Sequence, residues 1–208
     1  MNDLNDILEN VIDKNLKTCN ILEIGTGEGK NSTVILNKFC KENFSSYKLI
    51  SYEGEKSHYI RAKNFWNKNP NVTIINEYFS NKSDINDLVV KNIPDFIKDY
   101  NETGDRIKNK YIKLSNTNTN YFTNINFVPD IIFIDSSRFM HIAIINLCHQ
   151  ILKEKKDTLI IMEEDYFVNN QYGELDIIEK HFNLKNVIKY SKGSWQWPFV
   201  SFIIDSKK

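Results

Sequence analysis

The chain has 208 residues, of which 41% are hydrophobic and 12% aromatic, and its 27 basic and 27 acidic residues cancel to a formal net charge of zero. This length and composition are typical of one globular domain, and the balanced charge disfavours a general binder of nucleic acid or anionic lipid. No run of residues reaches the roughly 18 apolar positions of a membrane span, and the start of the chain lacks a signal-peptide pattern. We therefore expect a cytoplasmic protein with no membrane partner.

The first third of the sequence alternates helix and strand patterns. Apolar residues from Leu4 to Ile12 recur at helical spacing after Asp3, a candidate N-cap, and predict an opening helix that ends near Asn15. The patterns that follow predict, in chain order, a strand at 20–24, a helix at 32–40, a strand at 48–53, a helix at about 56–66 and a strand at 72–76.

The rest of the sequence contains one region without a clear pattern and then returns to the alternation. Residues 84–100 are broadly helical, and Pro94 should kink or divide them. Residues 101–126 form a polar, Asn/Thr-rich insertion with one weak strand pattern at 110–114. The later patterns predict a strand at 130–134, a helix at 139–152, a strand at 158–162, a helix at 175–182 and strands at 187–190 and 199–205.

The predicted strands are mostly continuous apolar runs, which is typical of a parallel sheet covered on both faces. The last two strands have no helix between them and should form an antiparallel pair. The predicted fold class is therefore α/β, a three-layer sandwich with a mainly parallel seven-stranded sheet and an antiparallel last strand, in a single domain over residues 1–208. Cys19, Cys40 and Cys148 have neither disulfide nor metal-ligand spacing, so we expect buried thiols.

A glycine cluster, EIGTGEG at residues 23–29, lies between the end of the first predicted strand and the helix that follows it. Glycines there allow the backbone to turn sharply and to approach a ligand, which indicates a nucleotide cofactor. Lys30 occupies the position of the third glycine of the dinucleotide motif GxGxxG, which disfavours NAD. Asn31 follows Lys30, so the sequence does not supply the Walker A loop of ATP-hydrolysing proteins either.

The pattern E-x-G-x-G-x-G after a first strand resembles motif I of the class I S-adenosylmethionine-dependent methyltransferases. The resemblance extends over residues 20–205 and includes the helix-free final strand pair. It implies that Glu23 acts through the loop on the ammonium end of S-adenosylmethionine. It also implies that the turn passes beneath the methionine part of that cofactor, at Gly25, Thr26, Gly27 and Gly29.

The same resemblance implies where the adenosine part of the cofactor is held. Glu53 ends the second predicted strand, where the family has an acidic residue that binds both ribose hydroxyls. Tyr78 and Phe79 follow the third strand, where the family contacts adenine. The Asp that is usual there is absent from this sequence, so either aromatic ring could instead stack on the base.

The resemblance also assigns the side of the sheet that faces the transferred methyl group. Asp135 ends the fourth predicted strand and is a candidate for cofactor binding and for catalysis, and the alternative is that it caps the helix that follows. His141, near the start of that helix, is a candidate base. Alternatively, it is an ordinary core or surface histidine with no role in catalysis. Family patterns of the small-molecule type have Gly and His where this chain has Ser136 and Glu164.

Five further residues are candidate substrate contacts near the same edge. Arg138 could bind an anionic acceptor through its guanidinium group, or could simply be solvated. Trp195 and Trp197 lie between the last two predicted strands, where they could form a substrate platform or cover the sheet edge. The complete set of substrate candidates is Arg138, Glu164, Asp165, Trp195 and Trp197.

Asp135, Glu164 and Asp165 could also meet above the sheet as a Mg2+ site, because catechol-type O-methyltransferases hold Mg2+ with a cluster of this kind. Glu164-Asp165 is a looser match than the Asp-Asn pair of those enzymes. We therefore favour a reaction without a metal.

The function expected from the resemblance is S-adenosylmethionine-dependent methyl transfer to a small-molecule acceptor, at a hydroxyl group. The motif (N/D)PP(Y/F) of amino-methylating nucleic-acid enzymes is absent after the fourth strand, and no Pro-Cys nucleophile occurs, so no nucleic-acid partner is expected. Two alternatives remain open, namely a noncatalytic cofactor-binding module of the same fold and a different nucleotide-dependent transferase. A homodimer is also left open.

Overall fold

The computed structural model of the chain describes residues 2–12, 16–77, 125–135, 141–154, 157–163, 175, 178–179, 182–190 and 199–205. The helices in this part are α1 (Asn2–Val11), α2 (Ser32–Asn43), α3 (Lys56–Trp66) and α4 (His141–Lys153). The strands are β1 (Thr18–Ile24), β2 (Ser46–Tyr52), β3 (Val72–Ile75), β4 (Ile131–Ile134), β5 (Leu159–Glu163), β6 (Asn183–Tyr190) and β7 (Phe199–Asp205).

The strands form one sheet in the order β3-β2-β1-β4-β5-β7-β6. Neighbours from β3 to β5 are parallel, whereas β7 runs antiparallel to both β5 and β6. The predicted α/β fold class and the antiparallel final pair are confirmed.

The register of the parallel strands brings their carboxyl ends to one level. Ile24 at the end of β1 pairs with Tyr52 at the end of β2 and with Ile134 at the end of β4. Residues that directly follow these three strands therefore meet at one edge of the sheet, which is where ligands bind in open α/β folds.

The two faces of the sheet bury separate apolar clusters, which makes three layers. Side chains of α1 and α2 pack on one face together with Trp66, and α4 packs on the other. The alternation of strand side chains sends Ile21 and Glu23 of β1 to the α2 face, and Leu22 and Ile24 to the α4 face. The three cysteines are buried free thiols, as predicted.

Two predicted boundaries are wrong. Asp3 lies inside α1, which already begins at Asn2 and ends at Val11, so it is not the N-cap. β6 begins at Asn183, four residues before the predicted start, because an edge strand forms backbone hydrogen bonds even where its side chains are exposed and polar. Asn186 in its middle has a φ of 53°, where the register with β7 shifts.

Several predictions lie outside the described residues. They are the helices at 84–100, the strand pattern at 110–114 and nearly all of the insertion at 101–126, of which only residues 125–126 are described. In the part of the chain that the structure describes, no helix is long and apolar enough to cross a membrane.

Candidate functional site

The loop at residues 25–29 leaves β1 in a conformation that only glycine adopts easily. Gly25, Gly27 and Gly29 have φ values of 98°, 56° and 71°, in the left-handed region. Among the residues that the structure describes, chain neighbours apart, none has an atom within 4 Å of a Cβ added at Gly27, so the backbone is open to them on that side. This is the arrangement expected where a backbone must leave room for a ligand.

The end of β2 holds the first half of this loop. The backbone N–H groups of Gly25 and Thr26 both donate to the Tyr52 carbonyl, at 3.0 and 3.2 Å. The Thr26 and Ser51 hydroxyls lie 2.5 Å apart. Gly27 N–H donates to Oε2 of Glu53 at 2.7 Å. The turn is therefore fixed by β2 as much as by its own glycines.

Glu53, the first residue after β2, is held in one orientation. It is 8% exposed. While Oε2 accepts from Gly27, Oε1 accepts from Glu55 N–H at 2.7 Å. Asn76 Nδ2 donates to the Glu53 carbonyl at 2.8 Å and ties it to the end of β3. Each carboxylate oxygen can accept a second hydrogen bond, so Glu53 offers two adjacent acceptors, which match a pair of neighbouring hydroxyls.

Glu23 lies on β1 beneath the loop and is fully buried. Ser32 donates to its carboxyl group at 2.6 Å, Thr33 at 2.8 Å and Ser51 at 2.5 Å. Burial raises the pKa of Glu23 to about 7, although the three hydroxyl donors act in the opposite direction. The negative charge of Asp135 adds to the rise. Glu23 thus joins β1, β2 and α2 under the loop.

Asp135 follows β4 at the same edge of the sheet and is partly buried. Its N–H donates to the carbonyl of Ile24 at 2.9 Å, so it stands beside the residue that leads into the glycine loop. The structure therefore places the glycine loop, Glu53 and Asp135 at one edge of the sheet. This arrangement places two carboxylates beside the backbone of the glycine loop.

The side chains of the other predicted site residues lie outside the described part of the structure. His141 is the first residue of α4, but only its backbone is described. The remaining ones are Tyr78, Phe79, Arg138, Glu164, Asp165, Trp195 and Trp197. Among the described residues no three His, Cys, Asp or Glu side chains form a metal-binding group, and the alternative Mg2+ set includes two residues beyond them.

Sequence reasoning missed the hydroxyl groups around Glu23 and the amide of Asn76. Ser51 carried a usable signal, because a hydroxyl that interrupts the apolar run of a buried strand needs a hydrogen-bond partner. Ser32 and Thr33 carried none, since residues at the start of a helix are often polar for capping alone.

No protein-family model matches the sequence, and none of the curated proteins is similar to it in sequence. Solved structures do resemble it. Fibrillarin in a complex with Nop5p aligns with 98% of this chain and 79% of its own, at 10% identity and a TM-score of 0.56. A methyltransferase from Pyrococcus furiosus aligns over 99% and 82%, at 12% identity and a TM-score of 0.54. The N-methyltransferase NodS from Bradyrhizobium japonicum WM9, solved with S-adenosyl-L-homocysteine, aligns over 99% and 87%, at 9% identity and a TM-score of 0.53. At these identities the likeness concerns the fold alone, and the chain shares the α/β fold of these solved structures.

Proposed function

We propose that this protein transfers a methyl group from S-adenosylmethionine to a hydroxyl group of a small-molecule acceptor. The observation that carries the proposal is the open side of Gly27, whose N–H is bound to the same carboxylate that offers acceptors for a diol. The fold adds support, since NodS with the same fold was solved with the demethylated cofactor. When bound, S-adenosylmethionine supplies an electrophilic methyl group.

Two parts of the chain would bind the cofactor, namely Glu53 and the glycine loop. Glu53 accepts from the two ribose hydroxyls with the lone pairs that Gly27 and Glu55 leave unused. The glycine loop presents its backbone to the amino-acid end, with no side chain in the way. We further propose that Tyr78 and Phe79 contact the adenine.

Asp135 is proposed as the group that takes the proton from the acceptor hydroxyl, because it stands at the sheet edge beside the loop. His141 is the second candidate for this role. The sequence IDSSR at 134–138 lacks the (N/D)PP(Y/F) motif, which supports a hydroxyl acceptor over an amino group of a nucleic acid. The proposed acceptor contacts are Arg138, Glu164, Asp165, Trp195 and Trp197.

Calorimetric titration with S-adenosylhomocysteine tests the binding half of the proposal. Glu53→Gln should weaken binding about tenfold or more, because the amide removes the charge and one acceptor oxygen. Glu55→Gln is the matched control, since its side chain is exposed and its backbone N–H is unchanged. A loss under about threefold in Glu53→Gln, or an equal loss in the control, would contradict the ribose assignment.

Turnover with methyl-labelled S-adenosylmethionine and a panel of hydroxylated small molecules tests the catalytic half. Asp135→Asn should lower turnover about a hundredfold while it leaves the affinity for S-adenosylhomocysteine within about threefold. His141→Gln, measured in parallel, separates the two candidate bases. Full turnover should persist in EDTA. Loss in chelator with recovery in Mg2+ would overturn the metal-free reaction, and cofactor binding without transfer to any acceptor would indicate a noncatalytic module.

A further inference from the structure

The outer end of the glycine loop is held by a side chain that the proposed reaction does not use. Trp66 Nε1–H donates to the carbonyl of Gly29 at 2.8 Å, in a buried contact. A Cβ added at Gly29 would lie 2.8 Å from Nε1 of Trp66, 3.0 Å from its Cδ1 and 3.1 Å from Cβ of Ala62. The indole therefore packs directly against the third glycine and bonds to its carbonyl.

Trp66 is itself fixed. It is the last residue of α3, is 8% exposed, and belongs to the apolar cluster on the α2 face of the sheet. Phe65 packs edge-on against its ring, with centroids 5.2 Å apart. The Trp66 carbonyl accepts from Asn69 N–H at 3.0 Å, which holds the turn after the helix. The indole N–H is thus a rigid donor for the loop.

Arg61 adds a second contact from α3. Its guanidinium group hydrogen-bonds to the carboxylate of Glu28, and this pair is solvent-exposed. Together with the contacts from β2, every residue from Gly25 to Gly29 is bonded to the segment 51–66. The β2–α3 unit therefore supports the loop along its whole length.

We propose that Trp66 is a positioning residue of the cofactor site, which sets the affinity for the amino-acid end of S-adenosylmethionine by fixing the Gly29 carbonyl. The inference rests on the proposed function. Without the indole donor, the peptide group after Gly29 is free to turn its carbonyl elsewhere, and the outer half of the loop loses its single conformation. Glu53 is held by the N–H of Glu55, outside the loop, and by the N–H of Gly27, two residues before the carbonyl that Trp66 fixes. The adenosine end should therefore be unaffected.

The test is calorimetric titration of Trp66→Phe with S-adenosylhomocysteine and with 5′-methylthioadenosine, which lacks the amino-acid group. Phenylalanine retains an aromatic ring in the cluster but has no N–H donor. The measurements are made at a temperature at which each variant is fully folded by circular dichroism. Phe44→Leu is the control, because Phe44 belongs to the same buried cluster and lies at the far end of α2 from the loop.

Trp66→Phe should bind S-adenosylhomocysteine about tenfold more weakly and methylthioadenosine within about twofold of the unmodified protein. Phe44→Leu should bind both ligands normally. Equal weakening of both ligands, or of neither, would overturn the positioning role. If Trp66→Phe does not fold, Arg61→Met at the surface takes its place, with a loss of about two- to threefold expected for S-adenosylhomocysteine alone. No loss there would overturn the proposal that α3 positions the loop, whereas failure of the unmodified protein to bind either ligand would overturn the proposed function itself.

Discussion

Glu23 illustrates how one buried carboxyl group can organise the glycine loop from beneath it. Its oxygens accept from hydroxyls on α2 and β2, and the Ser51 hydroxyl in turn lies against that of Thr26 in the loop. Desolvation outweighs the three hydrogen bonds, so the pKa of Glu23 rises to about 7. Ionisation of Glu23 should therefore make the stability of the contacts beneath the loop depend on pH.

The stability of the protein should carry a pH dependence that belongs to Glu23. In the unfolded chain this group ionises near 4.5, so between pH 4.5 and about 7 the folded state binds more protons. Its contribution to the free energy of unfolding is present in full below pH 4.5 and falls as pH rises through about 7, by on the order of 3 kcal/mol.

Glu23→Gln cannot titrate and should lack this component. Urea unfolding at pH 5, 6, 7 and 8 measures it, as the difference between variant and unmodified protein. Glu42→Gln on the exposed side of α2 is the control and should parallel the unmodified protein. A constant difference between Glu23→Gln and the unmodified protein at all four pH values would show that Glu23 does not titrate in this range.

Two glycines of the same loop should respond differently to a methyl group. Gly27→Ala should lower stability by about 1–2 kcal/mol, the cost of a left-handed backbone at a residue with a side chain. No further clash is expected, because no described residue other than its chain neighbours has an atom within 4 Å of the added Cβ. Gly29→Ala should cost about 1–3 kcal/mol more, since its Cβ would collide with Trp66. Urea unfolding compares the two. Equal losses would mean that Trp66 moves aside without cost.

At the scale of elements, β7 contains a buried hydroxyl that has no hydrogen-bond partner in the part of the chain that the structure describes. Ser201 pairs with Ile161 of β5 and Ile188 of β6, and no group within the described ranges bonds to its Oγ. Thr158, just before β5, is equally buried but donates to the carbonyl of Pro129 at 2.8 Å. A buried polar atom costs free energy when it is unpaired and stabilises when it is paired.

Ser201→Ala and Thr158→Val should therefore shift stability in opposite directions. Removal of the unpaired hydroxyl should stabilise the protein by about 1 kcal/mol, and loss of the paired one should destabilise it by about 1–2 kcal/mol. Thermal unfolding followed by calorimetry measures whether each substitution raises or lowers stability. A decrease in stability on Ser201→Ala as large as that on Thr158→Val would contradict the account of this strand.

Interior elements could be predicted from the sequence because burial on both faces leaves an apolar run. The predicted strands at 130–134 and 158–162 agree with β4 and β5 to within one residue at each end. The start of β6 could not be predicted in this way. Asn183, Lys185 and Asn186 are exposed on an edge strand, which is held by backbone pairing to β7 rather than by side-chain burial.

At the scale of the whole molecule, the register of the parallel strands brings the residues of the candidate site together. Gly25, Glu53 and Asp135 are far apart in sequence, yet all follow parallel strands that end level with one another. Their meeting could be predicted, because residues after parallel strands share one sheet edge. The contacts that hold the glycine loop could not be predicted from the sequence. The hydrogen bond of Trp66 with Gly29, for example, joins residues 37 positions apart and depends on how α3 packs.

The central claim is that the glycine loop is the floor of an S-adenosylmethionine site, and titration with S-adenosylhomocysteine tests it most directly. The unmodified protein should bind one molecule. Gly27→Val should remain folded by circular dichroism and should not bind, since its branched side chain would fill the space that is open at Gly27. Unchanged affinity in Gly27→Val, or no binding by the unmodified protein, would contradict the account.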